Sequence, residues 1–508
     1  MKKLAVLIFF ALLSGGLIRA NDIYISQSGA GDGSSCGSAK SVSFFNSSGN
    51  WGTGSSQIGP DTTVHLCGTI TGAAGATGLT VQGSGTSGNP ITVLFESGAV
   101  MTAPYWGLNG AINVNSKNYI VIDGGANGVI RNTANGSGLA YEAGSNGVYG
   151  GGSSNITVKN LNISNICVHA NGDTTSCQSS GVASSGIYIN GGSNNTVTGN
   201  TVHDARWCVF FIYPGGSTTA NALVSNNTIY NCDHGVTFGD GGGSAVLNNV
   251  TISGNVMHDL VNWDDSNDNF HHNYIHVWAV GGSSAISGLQ IYNNYFYGDP
   301  GLHNTALINV ETQSGNTNNG ALIYNNILTN PVASHPSPYG FISSGGTNIS
   351  LYNNTMVGAS TTGGLCFYLG GKSYKISNNV CQNVGAYISL SSNGSVSSSD
   401  YNDYYQSQNG FYVNGGFLNF LAWKALCLCD VHSISSDPKL DSAFKPLSAS
   451  PIVQSASNLS GLGISNLNKD KSGTARPTSG NWDLGALQFG STTSSAPNPP
   501  SALSAVVQ

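Results

Sequence analysis

One short pattern recurs along this chain and limits the folds that the chain can adopt. It consists of an apolar residue, any residue, a Gly, Asn or His, then Asn, any residue and a second apolar residue. Its copies are centred on Asn200, Asn227, Asn255, Asn273, Asn294, Asn326, Asn354 and Asn379. The separations between these asparagines are 27, 28, 18, 21, 32, 28 and 25 residues. A constant pattern at variable spacing is typical of a solenoid, in which each copy is one coil and insertions loop out on the surface.

The central asparagine of each copy is predicted to lie at a bend between two short strands. Asn tolerates left-handed backbone geometry, and its amide can hydrogen bond to the Asn of the next coil. Successive side chains of a strand point to opposite faces. The apolar residue two positions after the Asn is therefore expected to face inward, and the residue after it to face outward.

The composition agrees with stacked strands. Only 8% of the 508 residues are charged, whereas an average soluble domain has about 25%. Helical bundles carry many Glu, Lys and Arg on their surfaces, and nucleic-acid binding needs clustered Lys and Arg, so the composition argues against both. In a stack of coils, like charges in register would repel, which accounts for the low charge.

Two further segments, Tyr-Ile-Val-Ile-Asp-Gly at 119–124 and Asn-Ile-Thr-Val-Lys-Asn-Leu-Asn-Ile-Ser-Asn at 155–165, look like coils of the same kind. Together with the repeat, they resemble the right-handed parallel β-helix of the pectin-lyase-like superfamily. The resemblance covers roughly residues 100 to 400. It implies an all-β fold, a single-stranded right-handed parallel β-helix with capped ends.

The expected organisation of the chain follows from this resemblance and from composition. We expect a signal peptide at 1–20, an N-terminal cap with the first coils at 21–100, the parallel β-helix at 101–400, a C-terminal closing segment at 401–490 and a Ser/Thr/Pro linker and tail at 491–508. The first segment has Lys2 and Lys3 before an apolar run at 4–13, which is typical of a secretory signal and too short to span a membrane. We therefore predict an acidic, monomeric, extracellular protein without a membrane span, and the signal favours a bacterial origin.

The ten cysteines all follow the signal segment. An even number in an exported chain favours disulfides, and Cys36 with Cys67 and Cys167 with Cys177 are the predicted pairs. Zinc binding by the cysteines is the weaker alternative, because no pair of Cys-x-x-Cys motifs is present.

The register predicts a ladder of rings on one outer face. The outward positions after the bend are His203, Tyr230, His258, His276 and Tyr297. Rings in a row suit the apolar faces and hydroxyl rims of sugars. The alternative is a ladder that only stabilises the sheet.

Carboxylates are predicted to converge at one edge of the solenoid, because they follow the second strand of neighbouring coils. They are Asp240, Asp264, Asp265 and Glu311. Two carboxylates within about 5 to 10 Å can act as acid and base, or acid and nucleophile, on a glycosidic bond. Calcium binding by Asp264, Asp265 and Asp268 is an alternative, and simple turn chemistry is another.

The densest polar stretch spans residues 263–276 and contains three Asp and three His. The register predicts that His271 and His276 face outward, whereas Asp268 falls on an inward position. Either His can serve as a general base or, with Asp, bind a metal. The spacing matches no His-Glu-x-x-His motif, which weakens the metal alternative.

Lys and Arg are absent from residues 207–371. Pectate lyases of the superfamily that this chain resembles use an Arg or Lys near bound calcium. The resemblance therefore implies a basic side chain of this kind, and on the central coils only Arg206 can supply it. The polygalacturonase branch uses three aspartates, a Gly-His-Gly motif and an Arg-Ile-Lys motif. This chain has an Asp-Asp pair, Asp264–Asp265, but neither of the two motifs.

The sequence therefore predicts a secreted carbohydrate-active protein that cleaves a polysaccharide by carboxylate and His acid–base chemistry, as a hydrolase or a lyase. The predicted catalytic residues are Asp264, Asp265, His271, Asp240, Glu311 and His276. The predicted substrate-binding residues are His203, Arg206, Trp207, Tyr230, His258, Trp263, Trp278 and Tyr297. The alternative is a non-catalytic glycan-binding surface or adhesin-like protein.

Overall fold

The computed structural model describes residues 21–179, 182–265, 270–392 and 394–490. The predicted signal segment, the C-terminal tail and Asp268 lie outside the described residues. The described chain is a stack of parallel coils with its apolar residues inside, so the predicted right-handed parallel β-helix is confirmed.

Two long sheets run along the stack. Going from one end to the other, the first contains Ser28–Ala30, Lys40–Ser41, Asn21–Ser26, Thr62–Leu66, Ile91–Phe95, Ile120–Asp123, Ile156–Lys159, Thr196–Thr198, Leu223–Ser225, Thr251–Ser253, Gln290–Tyr292, Leu322–Tyr324, Ser350–Tyr352, Tyr374–Ser377 and Val396–Asp400. In chain order, the second contains Thr69–Thr71, Leu79–Thr80, Val100–Ala103, Ile112–Asn113, Val129–Asn132, Asn146–Gly151, Asn162–Ser164, Ser185–Asn190, Thr201–Pro214, Thr228–Gly241, Val256–His258, Asn273–Ala279, Tyr295–Tyr297, Ile308–Thr312, Ile327–Thr329, Ile342–Ser344, Thr355–Val357, Leu365–Leu369, Val380–Val384, Ala386–Leu390, Asp403–Ser407, Phe411–Val413 and Gly416–Leu418.

Smaller elements lie at the corners and ends. A short third sheet contains Thr218–Ala220, Val246–Asn248, Ala285–Ser287 and Thr317–Asn319, and a strand pair contains Gln178–Ser179 and Val182–Ala183. The α-helices are Val42–Asn46 and Phe420–Cys427, and the 3₁₀ turns are Cys36–Ser38, Ser48–Asn50, Val261–Trp263, Ser460–Leu462 and Ser465–Asn468. None of the described helices is long and apolar enough to cross a membrane.

The core is built from rows of like residues stacked in register. One row contains Val197, Val224, Ile252, Ile291, Ile323, Leu351 and Ile376. All are at most 1% exposed. The repeat places one apolar residue of each coil at the same point of the cross-section, so neighbouring coils bury each other's apolar surface.

The asparagine ladder is confirmed. It joins Asn200, Asn227, Asn255, Asn294, Asn326, Asn354, Asn379 and Asn402 through Nδ2-to-Oδ1 hydrogen bonds of 3.0 Å. From Asn227 onward, each Oδ1 also accepts from the backbone N–H of the preceding ladder residue. The left-handed backbone geometry, however, falls on the residue before the ladder Asn, for example Asn325 at φ 54° and Gly254 at φ 67°. This explains why the position before the ladder Asn is so often Gly or Asn.

One predicted coil does not exist. Asn255 bonds directly to Asn294, 39 residues later, and Asn273 instead donates to the Thr305 hydroxyl and the Ala306 carbonyl. The strand Asn273–Ala279 pairs with the second half of Thr228–Gly241. The apparent spacings of 18 and 21 residues are thus two parts of one coil, and the assignment of His276 to the ring ladder is wrong.

Replacing Asn326 by alanine tests the ladder. Its Nδ2 donates to Asn354 and to the Ile291 carbonyl, and its Oδ1 accepts from Asn294. We expect Asn326→Ala to lower the free energy of unfolding by about 1–3 kcal/mol, since it leaves buried polar groups unpaired. The measurement is denaturant unfolding, and Asn248→Ala, which removes an exposed hydrogen bond to Ser287, is the control with little expected effect. Equal losses in the two variants would contradict the role of the ladder.

Five disulfides close local segments. Cys36–Cys67 and Cys167–Cys177 confirm the predicted pairs. The other three are Cys208–Cys232, Cys366–Cys381 and Cys427–Cys429. The ten cysteines are all paired, which is consistent with an oxidising compartment.

The last described segment packs along the outside of the first sheet. Trp482, Leu484, Ile452 and Leu467 lie against Tyr324 and Tyr352 in a second apolar cluster. The buried Arg476 donates to Asn325. This segment therefore covers part of the ladder corner instead of extending the stack.

Asp403 gives the protein a specific pH dependence. It is fully buried, and burial raises the pKa of its carboxyl to about 8, although the Ser436 N–H bonded to it opposes the shift. Between about pH 4 and 8 the folded state holds a proton that the unfolded state releases, so stability falls as pH rises, by up to about 1.4 kcal/mol per pH unit. We expect Asp403→Asn to remove this decline. The measurement is the free energy of unfolding of both proteins from pH 5 to 8, and parallel curves would contradict the assignment.

Candidate functional site

Four adjacent strands of the second sheet carry the candidate site on their outer face. They are Thr201–Pro214, Thr228–Gly241, Asn273–Ala279 and Ile308–Thr312. The register aligns Trp207 with His234 and Trp278 with Glu311 in neighbouring coils. Gly239 pairs with Trp278, and a Cβ there would lie 2.1 Å from the indole. The glycine thus provides the space in which the Trp278 ring lies against the sheet.

Three imidazoles meet on this face. The rings of His234 and His276 stack with centroids 5.3 Å apart. His271, at the end of the insertion before the third strand, points its ring at both, with centroids 5.0 Å from His234 and 5.7 Å from His276. One nitrogen atom from each residue lies within 4.8 Å of those from the other two. His234 and His276 are buried, whereas His271 is exposed, so solvent reaches the cluster from the side of His271.

Carboxylates lie at both ends of the imidazole cluster. Asp233 Oδ2 is 3.3 Å from Nδ1 of His234. Glu311 Oε2 is 3.5 Å from Nε2 of His276, and Asn309 also approaches that nitrogen. Asp233 is buried, while the Glu311 side chain is 36% exposed. Glu311 is therefore the carboxylate beside the cluster that a large substrate can reach.

A buried charged triad supports the cluster from behind. His272 has no exposed surface and lies between Asp233 and Asp264, with its Nδ1 3.2 Å from one and its Nε2 3.0 Å from the other. Asp264 also accepts from the backbone N–H groups of Leu302 and His303. This triad joins the insertion that carries His271 to the sheet and to the following coil.

The protonation states follow from this arrangement. Burial lowers the pKa of His234 and of His276, the latter to about 4, and desolvation of the His271 ring against these two rings lowers its pKa as well, so all three are neutral at pH 7. Burial opposes charge on His272 as well, but hydrogen bonds to Asp233 and Asp264 overcome it and raise its pKa to about 9. The hydrogen bond from His276 lowers the pKa of Glu311. At neutral pH the face thus presents neutral imidazoles beside an ionised carboxylate.

Aromatic side chains form a wall beside the imidazoles. Trp207 contacts Phe210 and Trp278, with centroid distances of 3.7 and 5.6 Å. Trp278 in turn lies 4.8 Å from His276, and Tyr188 stacks on Phe210 at 5.3 Å. Trp207 and Trp278 are partly exposed, as side chains that contact a sugar face must be.

The ring ladder exists without His276. His203, Tyr230, His258 and Tyr297 stack at centroid distances of 4.5, 4.9 and 4.7 Å and with interplanar angles of 7°, 11° and 19°. The rings therefore cover each other's faces and present only edges outward. Such a stack stabilises the sheet, and the ring faces of Tyr230 and His258 inside it are not available to a sugar.

The other predicted site residues lie outside the open face. Asp240 accepts from the N–H groups of Val280 and Gly281, so it holds the next turn in place. Trp263 is fully buried against His169 and Phe270, so its predicted place in the groove lining is wrong.

Arg206 and Asp265 complete the set of predicted residues. Arg206 donates to Gln178, lies 3.5 Å from Asp233 and covers the Phe270 ring. Asp265 is buried within 4.0 Å of His303. Both side chains therefore lie around the insertion that carries His271 and do not line the aromatic wall.

Three residues of the face, His234, Asp233 and Phe210, were not predicted from the sequence. Asp233 precedes His272 by 39 residues, the same spacing as that between Asn255 and Asn294. A correct coil boundary would have placed Asp233-His234 beside the His271–His276 stretch. These residues could have been found only with the correct register of the 39-residue coil between Asn255 and Asn294.

The fold defines the chain as a right-handed parallel β-helix protein. The model of a family described as "Right handed beta helix region" matches residues 109–275. This match and the observed sheets both confirm the predicted right-handed β-helix. No curated protein sequence matches that of this chain.

Solved structures of the same fold have various functions. The chain is similar to XylC in complex with xylose (11% identity, 92% of this chain and 98% of the other, TM-score 0.48). It is also similar to pectate lyase Pel9A (15%, 92% and 96%, TM-score 0.41) and to PfbA, a surface adhesin of Streptococcus pneumoniae (14%, 65% and 80%, TM-score 0.44). None of these likenesses assigns a function to this chain, and the function must be argued from the site.

Proposed function

We propose that this protein binds a polysaccharide along the aromatic wall and cleaves it beside the three imidazoles, with Glu311 as the acid–base carboxylate. One observation supports this most directly. Glu311, an accessible and ionised carboxylate, lies next to neutral imidazoles and Trp278 on an open sheet face.

The wall favours an extended sugar chain as the ligand. Tyr188 lies on one coil, Trp207 and Phe210 lie together on the next, and Trp278 lies two coils further on, with coils about 4.8 Å apart. A polysaccharide that crosses several coils therefore contacts several rings. The shallow open face accommodates a polymer better than a small molecule that must be enclosed.

The chemistry favours proton abstraction over hydrolysis by two carboxylates. Hydrolysis needs two carboxyl groups that both reach the glycosidic bond, but Asp233 and Asp264 are engaged with His272, and Asp240 caps a turn. Glu311 can accept a proton from a sugar carbon and then return it to the departing oxygen, while a neutral imidazole N–H of His271 or His276 donates a hydrogen bond to that oxygen. We therefore place lyase activity ahead of glycoside hydrolysis.

The test is an assay of the purified full chain on a panel of neutral and uronic-acid polysaccharides. We expect cleavage with unsaturated products that absorb in the ultraviolet, from a uronic-acid polymer. Reducing ends without unsaturated products would instead support hydrolysis. Retention on immobilised polysaccharide without any cleavage would overturn the enzymatic proposal in favour of a glycan-binding protein.

A further inference from the structure

We propose that His234, His271 and His276 form a binding site for a divalent transition metal of the zinc type, with an open coordination position on the aromatic face. The three ligand nitrogens lie within 4.8 Å of one another. Imidazole nitrogens suit zinc, copper, iron and nickel, whereas calcium prefers oxygen ligands. This site differs from the carboxylate site at Asp264, Asp265 and Asp268 that the sequence suggested.

The distance between two of the ligands fits tetrahedral coordination. His276 Nδ1 and His234 Nε2 are 3.3 Å apart. Two nitrogens bound at about 2.0–2.1 Å to one tetrahedral zinc are about 3.3–3.4 Å apart. The two buried rings are thus already spaced as a metal would hold them, and His271 completes the set by a small movement of an exposed side chain.

The carboxylates orient the rings for this role. Asp233 lies beside Nδ1 of His234, and Glu311 beside Nε2 of His276. When a metal is bound, each carboxylate can accept from the nearer ring nitrogen, which leaves His234 Nε2 and His276 Nδ1 to coordinate the ion. Without a metal the same two nitrogens lie 3.3 Å apart and share one hydrogen bond, which a metal ion between them would replace. Carboxylate–imidazole–metal arrangements are common around zinc.

The open position gives the metal a function. Three protein ligands and one exchangeable position are characteristic of catalytic zinc sites. Residues 207–371 contain no Lys or Arg, so a metal would supply the positive charge that a sugar carboxylate or a departing oxygen requires. This catalytic use rests on the proposed polysaccharide cleavage, whereas metal binding itself does not.

The experiment measures zinc binding to chelator-treated full-length protein by calorimetry, in the absence of any glycan. We expect one zinc ion per chain, and His271→Ala is expected to weaken binding by about tenfold or more. Since His271 is exposed, this variant should remain folded. His432→Ala, which removes another exposed His paired with an Asp, should bind like the wild type. Cobalt substitution should give the intense visible bands of a tetrahedral site in the wild type and in His432→Ala.

The outcomes separate the two proposals. Wild-type protein that binds no zinc, or that binds it equally after His271→Ala, would overturn the metal site. If zinc binds in this pattern but no polysaccharide is cleaved, the metal site stands and the proposed function fails. If metal-free protein cleaves as fast as the zinc-loaded form, the catalytic use of the metal is refuted.

Discussion

Replacing His272 by alanine is expected to lower the free energy of unfolding by about 3–5 kcal/mol, because it leaves two buried carboxylates without their shared cation. Asp233 and Asp264 lie within 3.2 and 3.0 Å of the His272 ring nitrogens, and His272 has no exposed surface. The hydrogen bond from this ring, together with those from the N–H groups of Leu302 and His303, holds the pKa of Asp264 at about 2 against the effect of burial. The measurement is denaturant unfolding at neutral pH.

His335→Ala is the matched control for this prediction. His335 also pairs with an aspartate, Asp299, at 2.7 Å, but both side chains are partly exposed. Partly exposed pairs contribute about 0–1 kcal/mol, so the control should lose little stability. A His272→Ala variant that is as stable as His335→Ala would show that the buried triad does not hold the insertion in place.

Replacing Glu311 by glutamine is expected to reduce kcat on the polysaccharide about 100-fold or more, since it removes the proposed acid–base group and keeps its shape. KM should change little, because Trp207 and Trp278 remain. Initial rates of product formation over a range of polysaccharide concentrations separate the two parameters.

The chain offers a close control for Glu311. Glu96 is also 36% exposed and also pairs with a histidine, His65, but on an early coil far along the stack. Glu96→Gln should leave kcat unchanged. If both variants keep full activity on a polysaccharide that the wild type cleaves, Glu311 is not the acid–base group and the chemistry must be assigned elsewhere on the face.

Much of the fold could be predicted because one local interaction repeats. The ladder asparagines need an inward apolar residue on either side, so a six-residue pattern was enough to find the coils. The pattern failed at Asn273 because a strand elsewhere in a coil, His-His-Asn-Tyr-Ile, can match it by chance. Ladder spacing is a physical check here: the matches at 18 and 21 residues are shorter than the 23 to 39 residues between bonded ladder neighbours.

The candidate site was only partly predictable because its residues come from different coils. His271, His276 and Glu311 were found from their dense polar surroundings or their place after a strand. His234 stands in an apolar strand and acquires its neighbours only through the register with Asn273. Asp264 and Asp265 were selected for their charge, but the loop folds back and buries both, so nearness in sequence did not mean nearness on the open face.

The asparagine ladder fixes one corner of every coil while the length of the coil between two ladder residues varies from 23 to 39 residues. The ladder corner that fixes the position of each coil is thus separate from the segments of the coil that vary in length. Insertions, such as the one carrying His271, can be gained, lost or exchanged at the other corners without disturbing the rise from coil to coil. In such a scaffold one loop can acquire new reactive side chains while the other coils keep their structure. The molecule thus combines the modularity of a repeat array with the rigidity needed to hold a site.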